Sequence, residues 1–440
     1  MRPFYLLLKF TLNYSFRLFY KRFITINGKK ELYGSTIYVS NHANSFMDPM
    51  LIGLANWPIV HFMVRSDVFK WWLKPVYWAA HMLPIYRQQD GVDTIEKNQD
   101  SFDIVNRHLS KGRNILIFGE GFTDDTPIRG LKPIKKGAVR MGFAALVATN
   151  WEKNFYICAL GVNYTDRNKI GSEFVLVNGD KICLNDYKEA FLLQPNKVIN
   201  EVMKRLESEM QACLVYVKDP KNYSFLENVM QITRKGMNHE NHDPSIPLLK
   251  RWEYSRDLAL WINAQDLEEN TELASLKKDL ESYFNLQKRM KLQDRFVVAQ
   301  SQPALKNRTK EFAILALLWP LALVGIIHGL LPYLLVKKFA EKTFRRKVFW
   351  GSVKMMLGKL VGTIYNIPII IVVTHYFLPY QWMGIVYFLI IPFTCWIAWH
   401  YVIAFKEFRI KGAMNKMDVS KFTERREELV KRIENLIPVA

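Results

Sequence analysis

Short apolar runs alternate with amphipathic stretches through the first 190 residues. Strand-like runs are predicted at Thr36–Ser40, Ile59–Val64, Leu83–Tyr86, Asn114–Phe118, Phe155–Val162 and Phe174–Val177. Helix-like stretches fall between them at 67–81, 92–111 and 134–148. The second carries Ile95, Phe102, Val105 and Leu109 on one face. This alternation predicts an α/β fold, a mixed and largely parallel sheet covered by helices. In such sheets the chemistry sits on the loops that follow the strands.

The pattern changes on either side of that domain, taken as residues 23–199. Residues 1–22 interleave Arg2, Lys9, Arg17, Lys21 and Arg22 with Leu and Phe and contain no acid. That composition predicts an amphipathic helix lying in a membrane interface, with a core-facing helix as the alternative. The stretch has no small-residue cleavage site, so it does not read as a signal peptide. Residues 200–311 read as a soluble helical region. There Leu273, Leu276, Leu280 and Tyr283 keep a 3-4-3 spacing that Gln287 interrupts, which suits a short helical hairpin.

Residues 312–405 form a membrane region. The 25 residues 312–336 carry no formal charge and are long enough to span, and 360–378 and 382–405 are also uncharged. Basic runs at 337–347 and 406–416 both point to the cytoplasmic side. An odd number of crossings would separate the first domain from the basic helical tail, 406–440. Two readings answer this. Pro320 and Pro332 break 312–336 into a re-entrant or in-plane hairpin, leaving 360–378 and 382–405 to span, or all three segments cross. The first reading puts the catalytic domain, 337–347 and the tail together on the cytoplasmic side.

Composition narrows the partners. Lys and Arg outnumber Asp and Glu by 61 to 41, a formal charge of +20, which calls for an anionic partner. Nucleic acid would account for the charge but not for the uncharged spans. The 12 Trp favour an anionic lipid surface. Cys158, Cys183, Cys213 and Cys395 show neither metal-ligand spacing nor disulfide density. The run from His239 to Asp243, between Gly236 and Pro244, reads as a solvated loop and not as a metal site.

The candidate chemistry follows the first strand, in Ser40-Asn41-His42-Ala43-Asn44-Ser45-Phe46-Met47-Asp48-Pro49. A carboxylate near a histidine holds the Nδ1–H, fixes the tautomer and steadies the imidazolium. The competing readings are a core histidine and, for Asp48-Pro49, a helix N-cap. Leu83-Pro84-Ile85-Tyr86-Arg87 follows, then Ile117-Phe118-Gly119-Glu120-Gly121, then Leu131-Lys132-Pro133-Ile134-Lys135-Lys136-Gly137, and last Leu160-Gly161-Val162-Asn163-Tyr164.

That order resembles the motif blocks of the glycerol-3-phosphate and 1-acylglycerol-3-phosphate (lysophosphatidic acid) acyltransferase family, over about residues 35–180. The resemblance implies that His42 is the general base and Asp48 its partner. It implies acceptor binding by Asn41, Arg87, Glu120 and Gly121, with Arg129, Lys135 and Lys136 as further cations for a phosphate. The hydroxyl would attack the thioester of acyl-CoA or acyl carrier protein directly, with no metal and no organic cofactor. Phe69, Trp71, Trp72, Val76, Tyr77 and Trp78 are candidates for an acyl groove or, alternatively, for contact with the bilayer.

Three departures from the family pattern stand out. Five residues separate His42 from Asp48 where four are usual, a spacing similar to that of some glycerol-3-phosphate acyltransferases. Gly119 replaces a usual proline, which should loosen the third block. No arginine follows Gly121. The acceptor expected is lysophosphatidic acid or glycerol-3-phosphate. A lyso-aminolipid, or a non-catalytic lipid-binding role for the same fold, are the alternatives.

Overall fold

A computed structural model describes residues 3–28, 34–55, 60–66, 69–85, 94–123, 125, 129–301, 308–414 and 419–439. They fall into two compact units. One comprises Met1–Tyr223 and Pro247–Gln265, the other Ser224–Ile246 and Asp266–Ala440.

The first unit is a seven-stranded sheet with helices around it. In chain order its elements are α1 (Pro3–Phe19), β1 (Tyr20–Ile26), β2 (Thr36–Ser40), α2 (Met47–Ala55), β3 (Val60–Arg65), α3 (Lys74–Ala79) and β4 (Met82–Ile85). There follow α4 (Thr94–Leu109), β5 (Asn114–Phe118), α5 (Gly137–Ala148), β6 (Tyr156–Tyr164), β7 (Ser172–Cys183), α6 (Lys188–Leu193) and α7 (Pro195–Ala212). The strand order is β1-β7-β6-β2-β5-β3-β4. Every neighbouring pair is parallel except β6 and β7.

Central β2 is buried along its whole length, so it reads in sequence as one apolar run without alternation. Ile37, Val39, Ile115, Leu116, Ile157 and Leu160 form the heart of the core. Because β2, β5 and β6 are adjacent and parallel, their carboxyl ends open on one edge of the sheet.

The edge strand β1 corrects the expectation of a helix through residue 22. The helix stops at Phe19, and Tyr20–Ile26 pairs with β7. Lys21 and Arg22 suit an edge strand, where charge discourages further pairing. Helix α1 combines the two readings of the amino terminus. Tyr5, Phe16 and Phe19 are buried, whereas Leu6, Leu7 and Phe10 are exposed.

Next come α8 (Tyr223–Thr233) and α9 (Leu248–Asn263). The soluble helical region expected at 200–311 is therefore divided, because Pro247–Gln265 belongs to the first unit. There the guanidinium of Arg251 donates to both oxygens of Glu173 at 2.8 and 2.6 Å, a buried pair that ties α9 to β7. Removing one partner of such a pair strands the other charge and costs about 3–5 kcal/mol.

The second unit contains α10 (Thr271–Arg289), α11 (Asp294–Ser301), α12 (Arg308–Thr343), α13 (Trp350–Tyr376), α14 (Met383–Met414) and α15 (Ser420–Leu436). Leu273, Leu276, Leu280 and Tyr283 are the buried face of α10, as the spacing predicts. Their partner is α15 and not a neighbouring hairpin arm. Arg432 and Arg425 reach Asp279 at 2.6 and 2.8 Å, and Leu429 and Ile433 are fully buried.

Among the described residues three helices, α12, α13 and α14, are long and apolar enough to cross a membrane. One expectation about them needs correction. Helix α12 runs unbroken through Pro320 and Pro332, so 312–336 does not fold back on itself. Neighbouring helices that satisfy freed backbone groups allow a proline inside an apolar helix. The basic run 337–347 does not lie beside the tail. It is at the opposite end of α12 from Glu311, which pairs with Lys411 at 2.6 Å.

Candidate active site

The loop after β2 begins with Asn41, whose side chain is bonded to β6. Its amide nitrogen donates to the Val162 carbonyl at 3.2 Å, and its oxygen accepts the Val162 N–H at 2.8 Å. Asn41 thus fastens β2 to β6. Both bonds are made by a side chain buried inside the protein.

The next residue, His42, stacks on Phe118 at the end of β5, with ring centroids 4.0 Å apart. Its Nδ1 lies 2.9 Å from Asp48 Oδ2. The imidazole keeps 18% exposure while Asp48 has none. Ser45 adopts a left-handed φ of 44°, and this turn accommodates the extra residue between the histidine and the aspartate. Helix α2 starts at Met47, and the Asp48 carboxylate points back into the loop. Oδ2 also accepts the Asn44 N–H at 2.7 Å, and Oδ1 accepts the Tyr164 hydroxyl at 2.5 Å. The bonds to His42 and Asn44 give the carboxylate partners upstream of α2, in place of the N-cap alternative.

Burial, and then the charge of Asp48, raise Tyr164 well above the usual phenol range, so it stays a neutral donor. With Nδ1–H committed to Asp48, Nε2 is left as the basic nitrogen of His42.

The loop after β5 meets this pair from the next strand. Gly119 N–H donates to the Ser40 carbonyl at 3.0 Å, holding the two loops together. Glu120 is buried, and its oxygens accept the His42 N–H at 3.2 Å and the Lys132 N–H at 3.3 Å. The Lys132 ammonium lies 3.8 Å from the same carboxylate. Burial raises the Glu120 pKa above its ordinary value, with Lys132 as the largest opposing influence.

Gly119 does not loosen this loop. A Cβ there would fall 2.7 Å from Ile134 and 2.8 Å from Val39, so close packing requires the glycine. Beside Gly121 the Lys135 side chain passes so near that an added Cβ would sit 2.7 Å from Nζ. Lys136 is exposed at the amino end of α5, where helix N–H groups favour an anion.

Arg129 is buried, with 2% exposure. Arg87 falls outside the described residues, and β4 stops at Ile85 on the same edge of the sheet. Trp71, Trp72 and Trp78 are 80, 62 and 63% exposed, while Tyr77 is buried against Phe69 at 4.6 Å. The tryptophans project outward. Tyr164, Phe118 and Lys132 join the site without having been assigned a role. A polar or aromatic residue at a strand's carboxyl end was the available signal for the first two.

A buried carboxylate aligning a partly exposed imidazole, at the carboxyl ends of adjacent parallel strands, is an arrangement for taking a proton from a hydroxyl. A family model described as Acyltransferase matches residues 23–162. This chain carries an acyltransferase-family domain. The motif order resembles that of the glycerolipid branch of the family. Over 273 residues the chain is 24% identical to Glycerol-3-phosphate O-acyltransferase 1 of Saccharomyces cerevisiae, covering 59% of this chain and 34% of that one. It therefore spans about a third of the length of that relative. A solved structure, the 1-acyl-sn-glycerophosphate (LPA) acyltransferase PlsC of Thermotoga maritima, aligns at 16% identity with a TM-score of 0.30. That alignment covers 45% of this chain and 75% of the other. The acyltransferase domain includes β2 through β5 and most of β6, and hence His42, Asp48 and Glu120.

Proposed function

We propose that the acyltransferase domain moves a fatty acyl group from acyl-CoA or acyl carrier protein to a hydroxyl of a glycerol phosphate at a membrane surface. The carrying observation is the 2.9 Å contact between His42 and the fully buried Asp48. His42 Nε2 takes the hydroxyl proton, and the oxygen attacks the thioester carbonyl. The tetrahedral adduct then collapses, the C–S bond breaks, and the imidazolium returns its proton to the departing thiolate. Asp48 steadies the imidazolium, and Asn44 and Tyr164 hold Asp48.

Glycerol-3-phosphate is the favoured acceptor over lysophosphatidic acid. The wide His42–Asp48 spacing and the activity for which the yeast relative is named support that choice. The phosphate would meet Lys135, Lys136 and the amino end of α5, with Arg87 as a further ligand. The exposed apolar residues of α1 and the projecting tryptophans would rest on anionic lipid, with the domain facing the cytoplasm, where both donors reside.

Purified protein in phospholipid vesicles, given radiolabelled acyl-CoA or acyl carrier protein, should acylate glycerol-3-phosphate in preference to lysophosphatidic acid and to a lyso-aminolipid. Transfer only to the phosphate-free acceptor would overturn the acceptor assignment. Transfer to none would overturn the catalytic one.

A further inference from the structure

Helices α12 and α14 of the second unit lie antiparallel. Lys411 pairs with Glu311 at 2.6 Å, Trp319 meets Tyr401 at 5.7 Å, and Gly325 lets the backbones touch at Thr394. Such close approach at a glycine is how helices associate in lipid. Helix α13 runs back along the carboxyl half of α12. Trp350 Nε1 donates to the Phe344 carbonyl at 2.8 Å, and Lys354 pairs with Glu341 at 2.7 Å. His328 then clamps the three helices together. Its Nδ1 faces Asn366 Oδ1 of α13 at 2.5 Å, and its Nε2 faces the Tyr387 hydroxyl of α14 at 2.7 Å. Both ring nitrogens are engaged within the protein, so this cluster holds the bundle.

The polar groups where α12 begins are less completely matched. That end of α12 lies beside the end of α14, with the Phe312 and Phe408 rings 6.2 Å apart. The Arg308 guanidinium sits 4.6 Å from the centre of the Phe408 ring. A Cβ on Gly412 would fall 2.6 Å from Arg308 Nη2, so the glycine makes room for the cation. Arg308 Nε is buried and has no hydrogen-bond partner among the described residues. A guanidinium stays charged and carries only donors, so a buried one in this state calls for an acceptor.

Two acids at this corner are committed to other cations. Glu311 takes Lys411 at 2.6 Å, and Glu407 takes Arg295 at 2.9 Å. Positive charge remains in excess. Lys406, Arg409 and Gly412 stand three residues apart and share one face of α14, and Arg308 covers the last of them. Lys406 and Arg409 are exposed. One turn toward the middle of each helix, Phe312 and Phe405 expose their rings.

We propose that this corner holds one anionic phospholipid. Its phosphate rests on Arg308 and Arg409, with Lys406 beside them, and its acyl chains run over Phe312 and Phe405. Guanidinium forks fit phosphate oxygens, and basic pockets between membrane helices take acidic headgroups. The adjoining apolar rings favour a lipid over a soluble phosphate. A zwitterionic lipid would bring an ammonium group to a corner where Glu311 and Glu407 are already taken. The lipid site rests on the membrane reading of α12 and α14.

The full-length protein in detergent micelles is mixed with radiolabelled phosphatidylglycerol or phosphatidylcholine, and the lipid retained per chain is counted after gel filtration. Phosphatidylglycerol should be retained saturably, with an affinity about tenfold or more above that of phosphatidylcholine. Arg308→Gln combined with Arg409→Gln should remove that preference at an unchanged melting temperature. Lysine at both positions keeps the charge without the fork, and should fall between wild type and the Gln variant. Equal retention of the two lipids by wild type, or an undiminished preference in the Gln variant, would overturn the site. Complete displacement of the label by millimolar inorganic phosphate would show a site for the anion alone and overturn the lipid assignment. Flotation with phosphatidylcholine vesicles after detergent removal checks the membrane reading separately. Failure to float overturns that reading, whereas flotation without selective retention overturns the lipid site alone.

Discussion

Asp48 accepts hydrogen bonds from the His42 ring, the Asn44 amide and the Tyr164 hydroxyl, and two of these donors define separate experiments. His42→Ala should lower turnover by about 10²–10⁴ while the protein stays folded, since a positioned base supplies about that factor. Retention of more than half the activity would refute the role. Asp48→Asn should be nearly as severe, because the amide keeps the shape but not the charge that steadies the imidazolium. Were Asp48 a helix cap, Asn would serve about as well and activity would survive. Tyr164→Phe strips one donor from a buried carboxylate and should cost about 1–3 kcal/mol of stability, read by denaturant unfolding of the solubilised protein.

Glu120 supplies the pH dependence. Its pKa is raised by burial, so the folded protein takes up this proton more readily than the unfolded chain. The stabilising effect of protonation is therefore complete below the unfolded value, and it is lost as pH rises through the folded one. Activity should move the other way, because protonated Glu120 releases its ion pair with Lys132. In that window wild type should gain thermal stability and lose rate on acidification, and Glu120→Gln should show neither change. A variant that tracks wild type in both readouts would rule this out. At this scale the motif order singled out His42, Asp48 and Glu120, which the fold brings together. It could not select Tyr164, which is 116 positions from Asp48 and meets it only through the β2–β6 pairing. Nor could it reveal that the Asn41 side chain bonds to Val162, 121 positions away.

Elements were most legible where their signal was local. All six apolar runs read as strands are strands, and the carboxyl ends of β2 and β5 bring their loops together. The missed strand, β1, has no alternation to reveal it. It exists because β7 offers an edge, a partner 150 residues away. The partner of α10 was hidden for the same reason. Its buried stripe was plain, but α15 comes from the far end of the chain. Leu280→Ala should cost about 2–5 kcal/mol and free α15 from α10, detectable as faster proteolysis of the tail. Gly119→Ala should destabilise by about 1–3 kcal/mol through overpacking against Ile134 and Val39, read as a lower melting temperature. An unchanged melting temperature would mean that the loop yields, as a merely permissive glycine would allow.

At the scale of the whole molecule, hydropathy identified the membrane-length segments but not their connectivity. The charge rule placed the basic run 337–347 with the tail. The antiparallel packing of α12 on α14 puts these two at opposite ends, and each end carries its own lysines and arginines. Charge counting could not decide between them, because the deciding contacts, Gly325 on Thr394 and Glu311 with Lys411, join residues 69 and 100 positions apart.

The His328 clamp carries a consequence for biosynthesis. Its two ring partners come 38 and 59 residues later in the chain. On the ribosome, α12 is complete before either has been made. An imidazole in hydrocarbon with no partner is costly, so α12 should linger beside the translocation channel until α13 and α14 arrive. Insertion of the three helices is then a single late event and not three successive ones. Chains arrested before residue 366 should still crosslink to the channel through α12, and His328→Leu should let α12 depart early.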